Sequence, residues 1–236
     1  MNVTEQLKQK LWKYFGTKEY PAEWDGIVYG GGKLSQRFWE YMVTIQYLDL
    51  NEDSVLIDIG GGSPQTGYGF FSSIIKDHVK KIYILDPNVN LDKKSEDNIE
   101  FVPENANYES LKRLLTTKEI THIACISVFE HIEDSIRNEI VSAVNDHFQD
   151  GTFVSTFEYH PKQIHFEYQL TAKTVSELFS HFTRFYLTEY SASPVLCENA
   201  FAKKQRMSLR NLKFKMKKTY IPRWYPVAVK FVKFSP

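Results

Sequence analysis

The stretch that decides the fold is "SVLIDIGGGSPQTGYGFF", residues 54–71. An apolar run that contains one acid, Asp58, ends at Ile59, and three consecutive glycines follow, Gly60 to Gly62. Such a run is typical of a strand buried on both faces of a parallel sheet. The first strand-to-helix turn of such a sheet is where a nucleotide approaches, and glycines let its main chain touch the ligand. We therefore predict a ligand site here, although a tight turn alone would also use glycines.

The composition is that of one large globular domain that needs no disulfide bonds. The 236 residues are 42% hydrophobic and 15% aromatic, and Cys125 and Cys197 are the only cysteines. The longest apolar runs fall far short of the ~20 residues of a membrane span, and no apolar signal-peptide segment opens the chain. We therefore expect a reduced, cytoplasmic protein.

Charge is unevenly distributed along the chain. Eleven Lys and Arg residues and no acid follow residue 200, so the first 200 residues carry a net charge of −11 although the whole chain is neutral. The acidic part would repel phosphates, which makes nucleic acid an unlikely partner. The basic, aromatic segment 206–236 suits an anionic membrane surface, a polyphosphate-bearing substrate or RNA. It also suits docking on the acidic core or on a second subunit of a homodimer.

Short β-rich runs alternate with amphipathic stretches, which predicts an α/β fold with a parallel sheet. We predict seven strands, at residues 54–59, 81–86, 99–102, 122–128, 152–159, 184–191 and 198–205. The composition then divides the chain into a helical N-terminal cap segment at 1–50, the α/β domain at 51–205 and a basic C-terminal extension at 206–236. Thr171 or Thr174 is predicted to cap a helix after the fifth strand.

Polar residues follow three further predicted strands. Asp86 closes the second strand in "YILDPN", where its carboxylate can accept hydrogen bonds from both hydroxyls of a ribose. The third ends in "FVPENA", which offers Asn105 and the backbone of Ala106 to an adenine edge. The fourth ends in "SVFEHIED", with the polar pair Glu130 and His131. Taken singly, Asp86 is equally consistent with a turn residue, and Glu130 with an acid at a helix start.

Together, these four motifs resemble those of class I S-adenosylmethionine-dependent methyltransferases over residues 54 to about 205. "LIDIGGGSP" is similar to the family's acid-x-Gly-x-Gly loop, "YILDPN" to its ribose-binding segment and "FVPENA" to its adenine segment. "SVFEHIED" resembles the motif after strand four in the small-molecule branch that includes ubiquinone-biosynthesis methyltransferases. The "RFWEY" helix is similar to that of methyltransferases from bacterial surface-glycan clusters.

This resemblance implies a Rossmann-like, seven-stranded sheet with an antiparallel last strand and S-adenosylmethionine as the cofactor. By position, it implies that Asp58 and the backbone of Gly60, Gly61 and Gly62 hold the methionine end of the donor. It implies that Asp86, followed by Pro87, holds the ribose, that Asn105 and Ala106 hold the adenine, and that Ser127 forms the wall beside the sulfonium.

Two departures from the family pattern concern the donor site. Pro64 stands where a third glycine is usual, which predicts a later helix start and other donors for the methionine carboxylate. Lys33, Gln36 or Arg37 in the segment before the first strand can supply them, or else Arg37 pairs with Glu40 on an exposed helix face.

Asn105 replaces a more frequent Asp, so its side chain can donate as well as accept a hydrogen bond. A dinucleotide-binding protein is the nearest rival within this fold. It would commonly show G-x-G-x-x-G, whereas Gln65 stands at the third glycine position.

Methyl transfer to a hydroxyl is an in-line displacement that also requires removal of a proton. His131, His165 and Glu158 are the candidate catalytic residues, because they follow the fourth and fifth strands and histidine titrates near neutrality. Alternatively, His131 only holds Glu130 or the backbone in place. Glu158, His160 and His165 could instead bind a divalent metal, but their spacing is not typical of ligands, and we predict no metal site.

Several polar, ionisable side chains near the expected pocket favour a small polar acceptor, with O-methylation of a sugar or sugar derivative as the first choice. An amine or a carboxylate acceptor stays open. Two other classes also stay open: an RNA or amine N-methyltransferase that uses the basic segment for recognition, and a catalytically silent donor-binding protein that serves as a partner subunit.

Overall fold

The computed structural model describes residues 2–17, 36–92, 96–160, 167–180, 185–189 and 225–233. Six helices are described: α1 Val3–Thr17, α2 Gln36–Leu48, α3 Phe70–Ile75, α4 Tyr108–Thr117, α5 Asp134–His147 and α6 Ala172–Leu178. The first strands are β1 Val55–Ile59, β2 Gly62–Ser63, β3 Gly67–Tyr68, β4 Lys81–Leu85 and β5 Ile99–Val102. The later ones are β6 His122–Ile126, β7 Gly151–His160, β8 Leu170–Thr171, β9 Phe185–Glu189 and β10 Tyr225–Lys233.

The main sheet has the strand order β5-β4-β1-β6-β7-β10-β9, and the short β8 pairs with β7. The five strands from β5 to β7 are mutually parallel. At its centre, Ile57 of β1 lies between Tyr83 of β4 and Ile123 of β6. The predicted α/β fold with a parallel sheet is therefore confirmed for these five strands.

The end of the chain is organised differently from the sequence prediction. β9 lies inside the predicted strand 184–191, but the predicted strand 198–205 lies outside the described residues. β10 falls within the predicted extension 206–236 and pairs antiparallel with both β7 and β9. Its pairing with β7 runs from Tyr225, opposite Tyr159, to Lys233, opposite Gly151. The last part of that segment is thus a strand of the sheet.

Apolar side chains cover both faces of the sheet. On one face, α1 packs against α2 and α3, and α2 lies against β6, β7 and β10, with Phe38 and Trp39 fully buried. On the other face, Phe129, Phe157 and Phe179 pack with ring centroids about 6 Å apart. Burial of each such side chain contributes roughly 1.5–3 kcal/mol, so the two cores fix the sheet and its strand ends.

Local hydrogen bonds fix where the helices begin. Asn107 and Ser110 form a capping box at the start of α4. Thr171 and Thr174 form another at the start of α6, as predicted. α3 begins only at Phe70, because the chain from Gly62 to Tyr68 first forms the small β2–β3 hairpin. The predicted late helix start is therefore confirmed.

None of the described helices has the length and apolarity needed to cross a lipid bilayer.

Candidate active site

The carboxyl ends of four neighbouring parallel strands carry the predicted ligand-binding residues. Following the sheet from its edge, Asn105 lies beyond β5, Asp86 directly after β4, Gly60 directly after β1 and Ser127 directly after β6. Because these strands are parallel, the four positions lie side by side where the carboxyl ends of the strands meet. Ligands bind along this line of strand ends in open α/β sheets.

The backbone of the loop after β1 lies in close contact with the carboxylates of Asp58 and Asp86. Gly60 has a φ of +71° and donates its amide to the carbonyl of Leu85, 3.0 Å away. A Cβ on Gly61 would collide with the carboxylate of Asp58, and one on Gly62 would collide with that of Asp86. Close contact with these two acids therefore requires glycine at positions 61 and 62, and the positive φ favours glycine at position 60.

Asp58 is a buried acid in the floor of this loop. It is only 2% exposed, and Ser72 Oγ donates a hydrogen bond of 2.6 Å to its Oδ2. Burial, opposed by this hydrogen bond and aided by the charge of Asp86, raises the pKa of Asp58 to about 7. A cationic group in the pocket would hold it ionised.

Asp86 organises the neighbouring backbone. Its Oδ2 accepts the amide of Gly62 at 3.0 Å, and its Oδ1 accepts the amide of Asn88 at 2.7 Å. Each carboxylate oxygen has a second lone pair, so further bonds to a diol are possible. The neighbouring Pro87 is exposed.

A cavity of about 200 Å³ opens at the glycine loop. It is lined by Arg37, Tyr41, Asp58, Gly60, Gly61, Gly62, Gly69, Phe70, Phe71, Ile126 and Ser127. Typical ligand sites have ~300–1,000 Å³, so it can hold only one end of an extended ligand. Asp86, Pro87, Asn105 and Ala106 do not line it.

The structure therefore brings Arg37, Asp58, the three glycines and Ser127 together around one cavity. Sequence reasoning missed its aromatic walls, Tyr41, Phe70 and Phe71. Their signal was present, since Phe70 and Phe71 begin the helix after the glycine-rich stretch and Tyr41 lies one helical turn after Arg37.

Arg37 forms an ion pair with Glu40, with Nη1 and Oε2 2.9 Å apart. Its guanidinium also lies 5.9 Å from the ring centre of Tyr41. This pairing was one of the two predicted alternatives, but the exposed helix face assigned to it was wrong. Glu40 is fully buried and Arg37 borders the cavity, because this side of α2 packs against the sheet.

Ser127 connects two buried carboxylates. It has a φ of +55°, and its hydroxyl lies 3.1 Å from Oε1 of Glu40 and 2.8 Å from Oε1 of Glu130. Because a hydroxyl carries one proton, it cannot donate fully to both carboxylates. Both glutamates are at most 1% exposed.

Glu130 holds its proton near neutral pH. Burial is the main cause that raises the pKa of Glu130 to about 8, and the charges of Glu40 and Glu158 add to it. Hydrogen bonds from its own backbone and from Ser127 act in the opposite direction and lower the pKa. Its Oε2 is buried and has no hydrogen-bond partner among the residues that the structure describes.

The predicted catalytic residues are only partly brought together. His131 is exposed, lies outside the cavity lining and has its Nε2 4.0 Å from Oε1 of Glu130. Desolvation of the ring and the charge of Arg37 lower its pKa. Glu158 is half-buried on β7, and its charge acts on Glu130. His165 lies outside the described residues.

Over the described part of the chain, no group of three or more His, Cys, Asp or Glu residues is arranged to hold a metal ion.

Comparisons with known proteins identify the fold. No family model matches the chain. No curated protein sequence is significantly similar to it. Solved structures do match. A phosphoethanolamine N-methyltransferase 2 from Haemonchus contortus, solved with phosphomonomethylethanolamine and S-adenosylhomocysteine, aligns with a TM-score of 0.56 at 10% identity, over 95% of this chain. The chain spans only 61% of that protein's length.

Two further matches have TM-scores of 0.50 at 10% identity. One is geranyl diphosphate C-methyltransferase from Streptomyces coelicolor, solved with Mg²⁺, geranyl diphosphate and S-adenosylhomocysteine, with 96% of this chain and 97% of that chain covered. The other is the [4+2]-cyclase SpnF, with 85% and 83% covered. At such low identity the likeness shows the fold alone, and one fold hosts different chemistries. The chain thus shares the α/β fold of these two methyltransferases and of the cyclase.

Proposed function

We propose that this protein is an S-adenosylmethionine-dependent methyltransferase of the small-molecule branch that acts on a polar acceptor. The observation that carries the proposal is the cavity where the glycine loop, Asp58 and Ser127 meet at the strand ends. The shared fold supports it, because two of the matching methyltransferases were solved with S-adenosylhomocysteine.

The residues present fit this donor. S-adenosylmethionine supplies a methyl group on a positively charged sulfur. Asp58 would hold the methionine ammonium, because a buried carboxylate is costly unless a positive group is paired with it. The ammonium would thus replace the proton that Asp58 holds at low pH. Arg37 would face the methionine carboxylate, while keeping its ion pair with Glu40.

The rest of the donor would extend along the strand ends. Asp86 would accept the ribose hydroxyls on its remaining lone pairs, with Pro87 beside it. Asn105 and Ala106 would contact the adenine, because they follow the next strand along the same edge. Ser127 would form the wall beside the sulfonium, because it lines the same cavity and follows β6, the neighbour of β1 on the side away from β4.

For the acceptor we propose a hydroxylated compound, most simply a sugar derivative. A methylated hydroxyl must lose its proton, and His131, His165 and Glu158 remain the proposed acceptors of that proton. The lowered pKa of His131 supports this role, because a neutral imidazole can accept a proton. No metal is needed in this scheme.

We further propose that β5, β4, β1, β6, β7, β10 and β9 are the seven strands of the class I methyltransferase sheet. The antiparallel pairing of β10 with its two neighbours supports this assignment. The methyltransferase domain of 51–205 would then be completed by a strand from the segment 206–236, and the N-terminal segment 1–50 would cap the donor.

Calorimetric titration of the full chain with S-adenosylmethionine and S-adenosylhomocysteine tests the donor assignment. We expect dissociation constants of about 100 μM or lower, which corresponds to about 5.5 kcal/mol or more of binding free energy. Absence of binding by either compound at millimolar concentration would refute the assignment. Binding together with no transfer to any acceptor would instead favour a silent donor-binding subunit.

A further inference from the structure

We propose that the acceptor carries a protonated amino group and that this group binds the carboxylate of Glu130 beside Ser127. The inference rests on the proposed function and narrows its substrate class to compounds such as amino sugars. It depends on the carboxylates next to the donor cavity and on how their charges are balanced.

Three elements direct carboxylates to the end of β6. Glu40 comes from α2, Glu130 from the short 3-10 helix Phe129–His131, and Glu158 from β7. The first two share the hydroxyl of Ser127, at 3.1 and 2.8 Å, and Ser127 also lines the donor cavity. The charges of Glu40 and Glu158 both act on Glu130.

Glu130 has an oxygen that the fold leaves unsatisfied. Its Oε2 is buried and has no hydrogen-bond partner in the described part of the chain, and the same holds for Oγ1 of Thr156. Thr156 precedes Glu158 by two residues on β7, so the two side chains lie on the same face of that strand. An unsatisfied buried polar group costs about 1–3 kcal/mol, and a ligand that donates hydrogen bonds there would recover this cost.

The described cations near Glu130 are engaged with other acceptors. Arg37 pairs with Glu40 at 2.9 Å. Arg137 of α5 donates to the carbonyls of Phe129 at 3.1 Å and Tyr168 at 2.8 Å, and also to Asp134. His131 is 4.0 Å away, and its lowered pKa leaves it neutral at pH 7.

An alkylammonium group would supply the hydrogen-bond donor that Oε2 of Glu130 lacks among the described residues. It supplies up to three donors and one positive charge, which would satisfy Oε2 of Glu130 and offset the repulsion from Glu40 and Glu158. A neutral hydroxyl or acetamide would supply donors but no charge, so it would leave Glu130 protonated. The site should therefore distinguish an amine from its N-acetyl derivative.

Matched probes test this difference on the full chain. Methyl transfer from radiolabelled S-adenosylmethionine is measured with glucosamine and ethanolamine and with the N-acetyl derivative of each, and binding of all four probes is measured in the presence of S-adenosylhomocysteine. We expect at least one amine to bind and accept methyl at least ten times better than its N-acetyl partner. Equal or better use of the N-acetyl compounds, or no binding of either amine at 10 mM, would overturn the proposal.

Substitution of Glu130 separates recognition from folding. Glu130→Gln should lower the amine's apparent affinity at least tenfold, leave the affinity for S-adenosylmethionine within about twofold, and reduce the preference over the N-acetyl partner. Glu133→Gln, an exposed position three residues along the chain, should change none of these values. A Glu130→Gln protein that loses thermal stability but keeps the full amine preference would show a purely structural role. Failure of donor binding in the wild type would count against the proposed function instead.

Discussion

The backbone amide of Gly62 donates a hydrogen bond to Oδ2 of Asp86, and the two atoms are 3.0 Å apart. The residue that closes β4 therefore holds the loop that follows β1. A Cβ on Gly62 would collide with the same carboxylate, so a side chain at this position would force the loop or Asp86 to move. The ribose-binding acid of our proposal is thus also a support for the loop that binds the methionine end.

Asp86→Ala is expected to weaken binding of S-adenosylmethionine by about 1.5–3 kcal/mol, the range for hydrogen bonds to a charged group. The loss has two sources, the ribose hydroxyls and the position of Gly62. Calorimetric titration measures it, with Asp92→Ala as a control at an exposed position beyond the same strand. Unchanged donor affinity in Asp86→Ala would contradict the assigned site.

Gly61→Ala tests the loop itself. The new Cβ would collide with the carboxylate of Asp58, which is held in place by Ser72, so the loop must move. We expect donor affinity to fall at least tenfold, about 1.4 kcal/mol, with the circular dichroism spectrum unchanged. The exposed loop residue Gln65 provides a control as Gln65→Ala. Equal affinities in the two variants would argue against a ligand at this loop.

Donor binding should depend on pH through Asp58. The pKa of this carboxyl is raised to about 7 by burial, so below pH 7 a cationic ligand must displace its proton. Affinity should therefore rise between pH 5.5 and 7, by at most about tenfold per pH unit, and level off above pH 7. Titrations at constant ionic strength would show this slope in the wild type and its loss in Asp58→Asn.

The partner of Asp58 provides a second check on that assignment. Ser72→Ala removes a hydrogen bond that favours the ionised carboxylate, so the midpoint of the pH dependence should move upward. A downward shift, or a slope that persists in Asp58→Asn, would mean that another group controls the pH dependence.

Sequence patterns predicted the parallel sheet because each strand is a local apolar run, bounded by turn residues or amphipathic helices. They also placed Asp58, the glycines and Ser127, since each follows such a run directly. They did not predict that Glu40 is buried. Whether a face of a helix is exposed or buried depends on the elements packed against it. The elements that cover α2 are β6, β7 and β10, which are distant in sequence.

The last strand was missed for a related physical reason. Residues 225–233 are mostly apolar, with lysine at 230 and 233 and a proline at 226, a pattern that also fits a surface-binding segment. What makes them a strand is the pairing with β7 and β9, and both partners are supplied by chain far away in sequence. Likewise, the two carboxylates whose charges act on Glu130 come from α2 and β7, so no local pattern could show this acidic environment.

The free energy of unfolding should reveal the proton on Glu130. Its folded-state pKa is about 8 against an ordinary value of 4.5, so the folded protein binds the extra proton between these values. This contribution is fully present below pH 4.5 and is lost as the pH rises through 8, with a slope of at most about 1.4 kcal/mol per pH unit. Glu130→Gln lacks the titrating group, so its stability relative to wild type should increase from pH 5 to pH 8.

Urea denaturation at several pH values measures that difference, and Asp58 affects both proteins alike. Glu119→Gln, at a carboxylate that is 90% exposed, is the control and should parallel the wild type. A constant difference between Glu130→Gln and wild type over this pH range would show that Glu130 does not hold a proton in the folded state.

Removal of residues 206–236 separates two accounts of the basic segment. Because β10 lies between β7 and β9, its deletion would leave the backbone groups of both strands unpaired along the sheet. We expect the melting temperature to fall by at least about 10 °C, since 1 kcal/mol corresponds to about 2–4 °C at this size. If the segment served only to bind anionic lipid, deletion would instead abolish salt-sensitive sedimentation with liposomes and leave melting unchanged.

A full-length variant with Lys213, Lys215, Lys217 and Lys218 replaced by Gln keeps β10 and removes charge, so it should melt like the wild type. An unchanged melting temperature after deletion would contradict the place of β10 in the sheet.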